Sequence, residues 1–112
     1  QVISVARVRP LHDRARTLLQ PLRRPNLRLV WADGRLGHSP NAPYDTVIAA
    51  AGGEALPQSW LDQMAPGARL VAPLHASAGG GQVLMVVDRT ESAWVRQVHE
   101  AVHFVPLKSG VA

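Results

Sequence analysis

Three short stretches hold the residues whose types and spacing could do chemistry. Ala6-Arg7 follows the apolar run Val2-Ile3-Ser4-Val5, Asp33-Gly34 follows the alternating segment from Asn26 to Ala32, and Ala50-Ala51-Gly52-Gly53 closes a run that starts at Thr46. In an open sheet of parallel strands, ligands bind beyond the carboxyl ends of the strands, where the connecting loops diverge, so these strand ends form the candidate site. An acidic residue after one strand can accept hydrogen bonds from ribose hydroxyls, and one after the next can accept from an adenine amino group, which makes a nucleoside slot between adjacent loops. Asp33 is placed for the second role; Asp45, beside Tyr44 in a proline-punctuated stretch, reads as a structural turn residue.

Other reactive side chains offer less. His12, His38, His75, His99 and His103 show no metal-ligand spacing. His99 and His103 fall in what reads as one strand, which would set them roughly 13 Å apart on one face, so no metal site is expected. Ser39, Ser59, Ser77 and Ser92 sit in turn-like surroundings without a nucleophile motif. Trp31, Trp60 and Trp94 are expected to anchor the core or its rim.

Several pieces recur in a fixed order: Val2 to Val8, then Ala32-Asp33-Gly34-Arg35-Leu36-Gly37, Ala42-Pro43-Tyr44-Asp45, Pro66-Gly67-Ala68-Arg69-Leu70-Val71 with Pro73, and Phe104-Val105-Pro106-Leu107 with Gly110. This ordered set resembles the protein-L-isoaspartate O-methyltransferases, which use S-adenosylmethionine to methylate isoaspartyl carboxylates in damaged proteins, and it resembles their carboxyl-terminal portion. The resemblance implies an α/β fold: an incomplete Rossmann-like class I methyltransferase sheet, mostly parallel with an antiparallel carboxyl-terminal pair, lacking the first strand and its Gly-rich loop. It implies cofactor contacts at Ala6, Arg7, Asp33, Gly34 and Ala50, and substrate contacts at Ala51, Val105, Pro106 and Leu107. The Gly-rich turn and the active-site Ser would lie before Gln1, so no catalytic residue is assigned. Where the family carries a ribose-holding Glu, this chain has Ala6. Loss of such a charged acceptor costs about 1.5 to 3 kcal/mol, so cofactor binding by this segment is expected to be weak or absent.

The elements that must position these residues follow from the hydropathy pattern. Val2 to Val5 reads as a strand, and Pro10 opens a helix whose Leu11, Ala15, Leu18, Leu19 and Leu22 share one face before Pro21 and Pro25 limit it. Leu27, Leu29 and Trp31 alternate with Arg28 and Val30 in a second strand. Gly37 to Tyr44 is expected to be an exposed loop, Thr46 to Ala51 a buried central strand, and Pro57 to Met64 a short helix stopped by Pro66-Gly67. Arg69 to Pro73 forms the next strand, Ala76 to Gly81 a flexible turn, and Val83 to Asp88 with Trp94 to Val105 an antiparallel pair.

Bulk properties bound the function. A chain of 112 residues that is 46% hydrophobic supports one small domain over residues 1–112. There is no cysteine, hence no disulfide framework or thiolate metal site, and no apolar run approaches the ~20 residues that span a bilayer. With the resemblance, this points to a soluble, cytoplasmic protein. The net charge of +4 is uneven: residues 1 to 35 hold eight Arg and two Asp. Those arginines lack interleaved aromatics and read as a solvated face, against nucleic-acid binding. A non-catalytic remnant that binds protein or nucleic acid through this basic third is the competing reading. Removal of the family's first strand would leave two edges unpaired in mid-sheet, so the strands should close on each other or two chains should pair as a homodimer, the favoured outcome.

Overall fold

The computed structural model describes residues 1–76 and 80–112; the middle of the expected turn at Ala76 to Gly81, Ser77 included, lies outside the described residues. Strand β1 (Val2–Ala6) runs into helix α1 (Arg9–Leu19), a single 3-10 turn at Gln20–Leu22 reverses the chain, and β2 (Leu27–Trp31) returns parallel to β1 with Val2 opposite Leu27 and Ala6 opposite Trp31. Helix α1 has Pro10 in its first turn, as the pattern requires, but its cap residue Val8 offers no side-chain oxygen to the free amides. Its apolar face is only half covered. Ala15 and Leu19 are partly buried, whereas Leu11, Leu18 and Leu22 stay about 60% exposed, because a two-stranded ribbon is too narrow to cover a stripe that wide.

The second sheet is larger and holds the core. Strand β3 (Tyr44–Ile48) ends before the short β4 (Ala51–Gly52); α2 (Gln58–Asp62) follows, then β5 (Met64–His75), β6 (Gln82–Arg89) and β7 (Trp94–Val102). The order is β3-β5-β6-β7, parallel across β3 and β5 and antiparallel across the two remaining pairs. Met64, Ala68, Leu70 and Ala72 of β5 meet Met85 and Val87 of β6, and Trp60, Leu61 and Leu56 close over them. A last short strand, β8 (Val105–Pro106), leaves this sheet and pairs in parallel with β4, Val105 opposite Ala51 and Pro106 opposite Gly52.

Several expectations need correction. The run from Thr46 to Ala51 is not one buried strand: it breaks after Ile48, and Ile48 is 77% exposed because β3 has a partner only on its β5 side among the described residues. Pro66-Gly67 does not end an element before the next strand begins. It lies inside β5, where Gly67 takes a φ of +84° and the β3 register shifts between Tyr44 and Thr46, a bulge that absorbs the turn signal. The helix at 57–64 shortens to five residues, and Trp94 to Val105 splits into β7 and β8, leaving His103 outside the strand that holds His99. Asp45 lies within β3 and not in a turn. Of the tryptophans, Trp60 is buried while Trp31 and Trp94 are rim residues. Strands β1 and β3 do not pair with each other, so closure of the sheet is not the arrangement adopted.

This distribution predicts opposite sensitivities in two apolar positions. Leu70→Ala, at a fully buried site, should cost about 2 to 5 kcal/mol of unfolding free energy, and Ile48→Ala should change it by about 0.5 kcal/mol or less. Urea denaturation of both variants checks this; equal effects would contradict the placement of the core.

Candidate functional site

Parallel pairing brings the carboxyl ends of β1 and β2 side by side. The Ala32 N–H donates to the Ala6 carbonyl at 3.0 Å, just past the last strand pair, so Ala6-Arg7 and Ala32-Asp33 leave the sheet together. Trp31 fixes the first of these loops: its indole N–H donates to the Arg7 carbonyl at 2.8 Å, and the Arg9 guanidinium lies 5.2 Å from its ring centre. Asp33 opens a 3-10 turn at Gly34–Leu36, where its Oδ1 accepts the Arg35 N–H at 2.9 Å, the short side chain of an Asp at a turn start satisfying a free amide.

The other Asp33 oxygen is reached from the far end of the chain. The Gly110 N–H donates to Oδ2 at 2.8 Å, and the Arg7 side chain returns a bond from Nε to the Gly110 carbonyl at 3.3 Å. Ala112 completes the contact, its N–H donating to the Arg7 carbonyl at 2.8 Å and its carbonyl accepting the Arg9 N–H at 2.7 Å. That last bond satisfies a first-turn amide of α1 that Val8 cannot cap. The Gly110 amide is the largest cause holding the Asp33 carboxyl below the usual aspartate range; partial desolvation opposes it, and the Arg35 amide with the Arg35 and Arg7 charges adds to it.

The remaining expected site residues gather one strand end away. Ala51 faces Val105 across the β4–β8 pair, and the Leu107 N–H donates to the Gly52 carbonyl at 2.9 Å, so Ala51 and Val105 to Leu107 share one small ladder. Ala50 lies exposed between β3 and β4. Gly34 is bound from below, its carbonyl accepting the Trp60 indole N–H at 2.7 Å, which ties the Asp33 turn to the core. The loop after it is less open than expected: the Gln63 side chain accepts from the His38 N–H at 2.9 Å and donates to the Leu36 carbonyl at 3.0 Å, and a Cβ on Gly37 would strike that same amide.

Two site-forming residues escaped the sequence reading. Gly110 was legible only as part of the closing motif, although its φ of +75° marks it as a residue chosen for backbone freedom. Gln82 carried no signal: its Oε1 accepts the Phe104 N–H at 2.7 Å, which steers the chain from β7 toward β4, and its amide fills the space a Cβ on Gly52 would need. Among the described residues, no group of three or more His, Asp or Glu side chains could hold a metal ion. No described helix is long and apolar enough to cross a membrane. A cleft of about 650 Å³ lined by Arg16, Arg23, Arg24 and Arg28 lies at the opposite end of the ribbon, next to Leu27 at the start of β2, and contributes nothing to the Asp33 site.

Comparison with known proteins identifies the family and the fold. The family model for protein-L-isoaspartate(D-aspartate) O-methyltransferase matches residues 1–112. Curated proteins named protein-L-isoaspartate O-methyltransferase are similar over nearly the whole chain: one from Methylibium petroleiphilum is 62% identical over 98% of it, and one from Leptothrix cholodnii is 57% identical over all of it. The chain spans 41% and 40% of the lengths of those two relatives. A solved protein-L-isoaspartate O-methyltransferase superposes with a TM-score of 0.89 at 22% identity, covering 98% of this chain and 35% of that one. A Plasmodium falciparum structure of the same enzyme name, in complex with S-adenosyl-L-homocysteine, superposes with a TM-score of 0.82 at 20% identity, over 96% of this chain and 52% of its own. At those identities the superpositions establish the fold, a partial class I methyltransferase sheet.

The Asp33 geometry makes a pH-dependent prediction. With its folded-state pKa depressed, Asp33 contributes fully to stability above the ordinary aspartate range, and that contribution is lost as pH falls through the lower folded value. The Gly110 amide resonance should therefore titrate below the usual aspartate range in NMR spectra, and Asp33→Asn should abolish the titration. A Gly110 shift that ignores pH across that range contradicts the bond.

Proposed function

Because the chain belongs to the protein-L-isoaspartate(D-aspartate) O-methyltransferase family, we propose that it serves methyl transfer from S-adenosylmethionine to isoaspartyl carboxylates of damaged proteins, as part of a longer enzyme. The observation that carries this reading is the Asp33 carboxylate at the carboxyl end of β2, kept ionised and beside the end of β1. A carboxylate there fits the amino group of an adenine ring. The matching ribose acceptor is absent at Ala6, so the acceptor set fits half of the nucleoside.

When bound, the cofactor supplies an electrophilic methyl group on a sulfonium. The protein's task is then positional: to align a carboxylate oxygen with that methyl and to keep water out. In this reading Asp33 and Gly34, with Ala6, Arg7 and Ala50, form the adenine side, and Ala51 with Val105, Pro106 and Leu107 forms the far wall that receives the isoaspartyl backbone. The methionine side and the active-site Ser belong to the rest of the enzyme, which agrees with a chain spanning 41% of its relative. In this reading the residues named here do not by themselves complete the transfer site. The methyl ester so formed is attacked by the adjacent backbone amide nitrogen, which closes a succinimide and releases methanol without further catalysis, and repair follows from that. The setting is the cytoplasm, and the partners are isoaspartyl-containing proteins. Self-association, covering the edges of β1 and β3 that have no strand partner among the described residues, is the homodimer this reading favours for the isolated chain.

Two experiments test these statements. Calorimetric titration with S-adenosylhomocysteine should give weak binding that Asp33→Ala removes; binding unaffected by that change sinks the adenine assignment. Sedimentation should show a dimer, and a monomeric mass over a wide concentration range together with cooperative unfolding refutes self-association.

A further inference from the structure

The segment after β8 crosses the mouth of the site it would help to form. Leu107 is still bonded to Gly52 at the end of β4, and by Gly110 the chain has reached Asp33 and Arg7 at the ends of β2 and β1. Residues 108–112 are all exposed, and the described bonds that hold them end on Asp33, Arg7 and Arg9. We propose that Lys108–Ala112 is a displaceable strap, whose Gly110 amide occupies the Asp33 oxygen that an adenine amino group would use. Nucleoside and strap then compete for one carboxylate. The proposal rests on the reading of Asp33 as the adenine acceptor.

Three features support competition over a permanent clamp. Oδ1 is committed to the Arg35 turn, which leaves Oδ2 as the oxygen open to an exchanged partner. The Gly110 main chain sits at hydrogen-bond distance from that oxygen, in the position an incoming amino group must take. The strap also contributes no side chain to the buried core, so its release exposes little apolar surface and belongs to the low-energy local openings of a fold. Gly110 makes this reversible: at φ +75° it turns without strain, and a Cβ there would meet open space, so the backbone alone sets the fit.

The test compares this chain with Gly110→Pro, which removes the donated N–H and cannot adopt a positive φ, and with a second variant ending at Leu107. Each is titrated calorimetrically with S-adenosylhomocysteine beside Asp33→Ala, and amide hydrogen exchange at Gly110 is followed in the unaltered chain. Both strap variants should bind about tenfold more tightly, the scale of one charge-assisted hydrogen bond released from competition, and saturating ligand should speed exchange at Gly110. If the strap variants bind no better than the unaltered chain while Asp33→Ala abolishes binding, the strap is overturned and the adenine assignment stands. A Gly110 amide that stays protected under saturating ligand overturns it as well. If Asp33→Ala binds like the unaltered chain, or no variant binds, the adenine reading fails and the strap fails with it.

Discussion

Burial of strand β5 is the constraint on which the rest of the structure depends. It is bonded on both sides, parallel to β3 and antiparallel to β6, and its alternate residues Met64, Ala68, Leu70 and Ala72 supply much of the buried surface. Everything that positions the candidate site is referred to it. Trp60, packed on β5, grips the Gly34 carbonyl and so places Asp33; Gln63, one residue before β5 starts, binds the loop on to His38. By contrast, the β1–β2 ribbon with α1 buries no residue fully, and a two-stranded ribbon is not expected to stand alone. Its order is borrowed from the core through the Asp33 turn, which Trp60 holds by the Gly34 carbonyl.

What the sequence disclosed follows this division of labour. The strands at Val2, Leu27, Arg69 and Val83 were legible because local pattern and final environment agree. The errors fall where they do not. Ile48, Leu11 and Leu18 have the hydropathy of buried residues but stay exposed, and hydropathy reports what a residue prefers, not what covers it. Pro66-Gly67 has the chemistry of a stop, yet β5 runs through it as a bulge, because the Tyr44–Met64 and Thr46–Arg69 pairs on either side of it hold the strand in line with β3. Asp33 is singled out as a candidate by its place at a strand end. The partner of its second oxygen was not, since a main-chain N–H 77 residues away leaves no mark in a local pattern.

The same bond gives Asp33 a double character. Its carboxylate already accepts two main-chain N–H groups and feels two arginines, so the cost of keeping a charge ready for a ligand is met within the fold. An incoming amino group would exchange one N–H donor for another on Oδ2, and such an exchange is close to neutral in free energy. Net affinity must then come from burial of the nucleobase rings against the loops after β1 and β2, at about 25 cal/mol per Å² of apolar surface, while the hydrogen bond decides orientation. If Asp33 is the adenine acceptor, then with Ala6 adding no ribose acceptor this half of the site would discriminate by position more than bind by strength, and tight binding would have to be supplied by contacts on the methionine side.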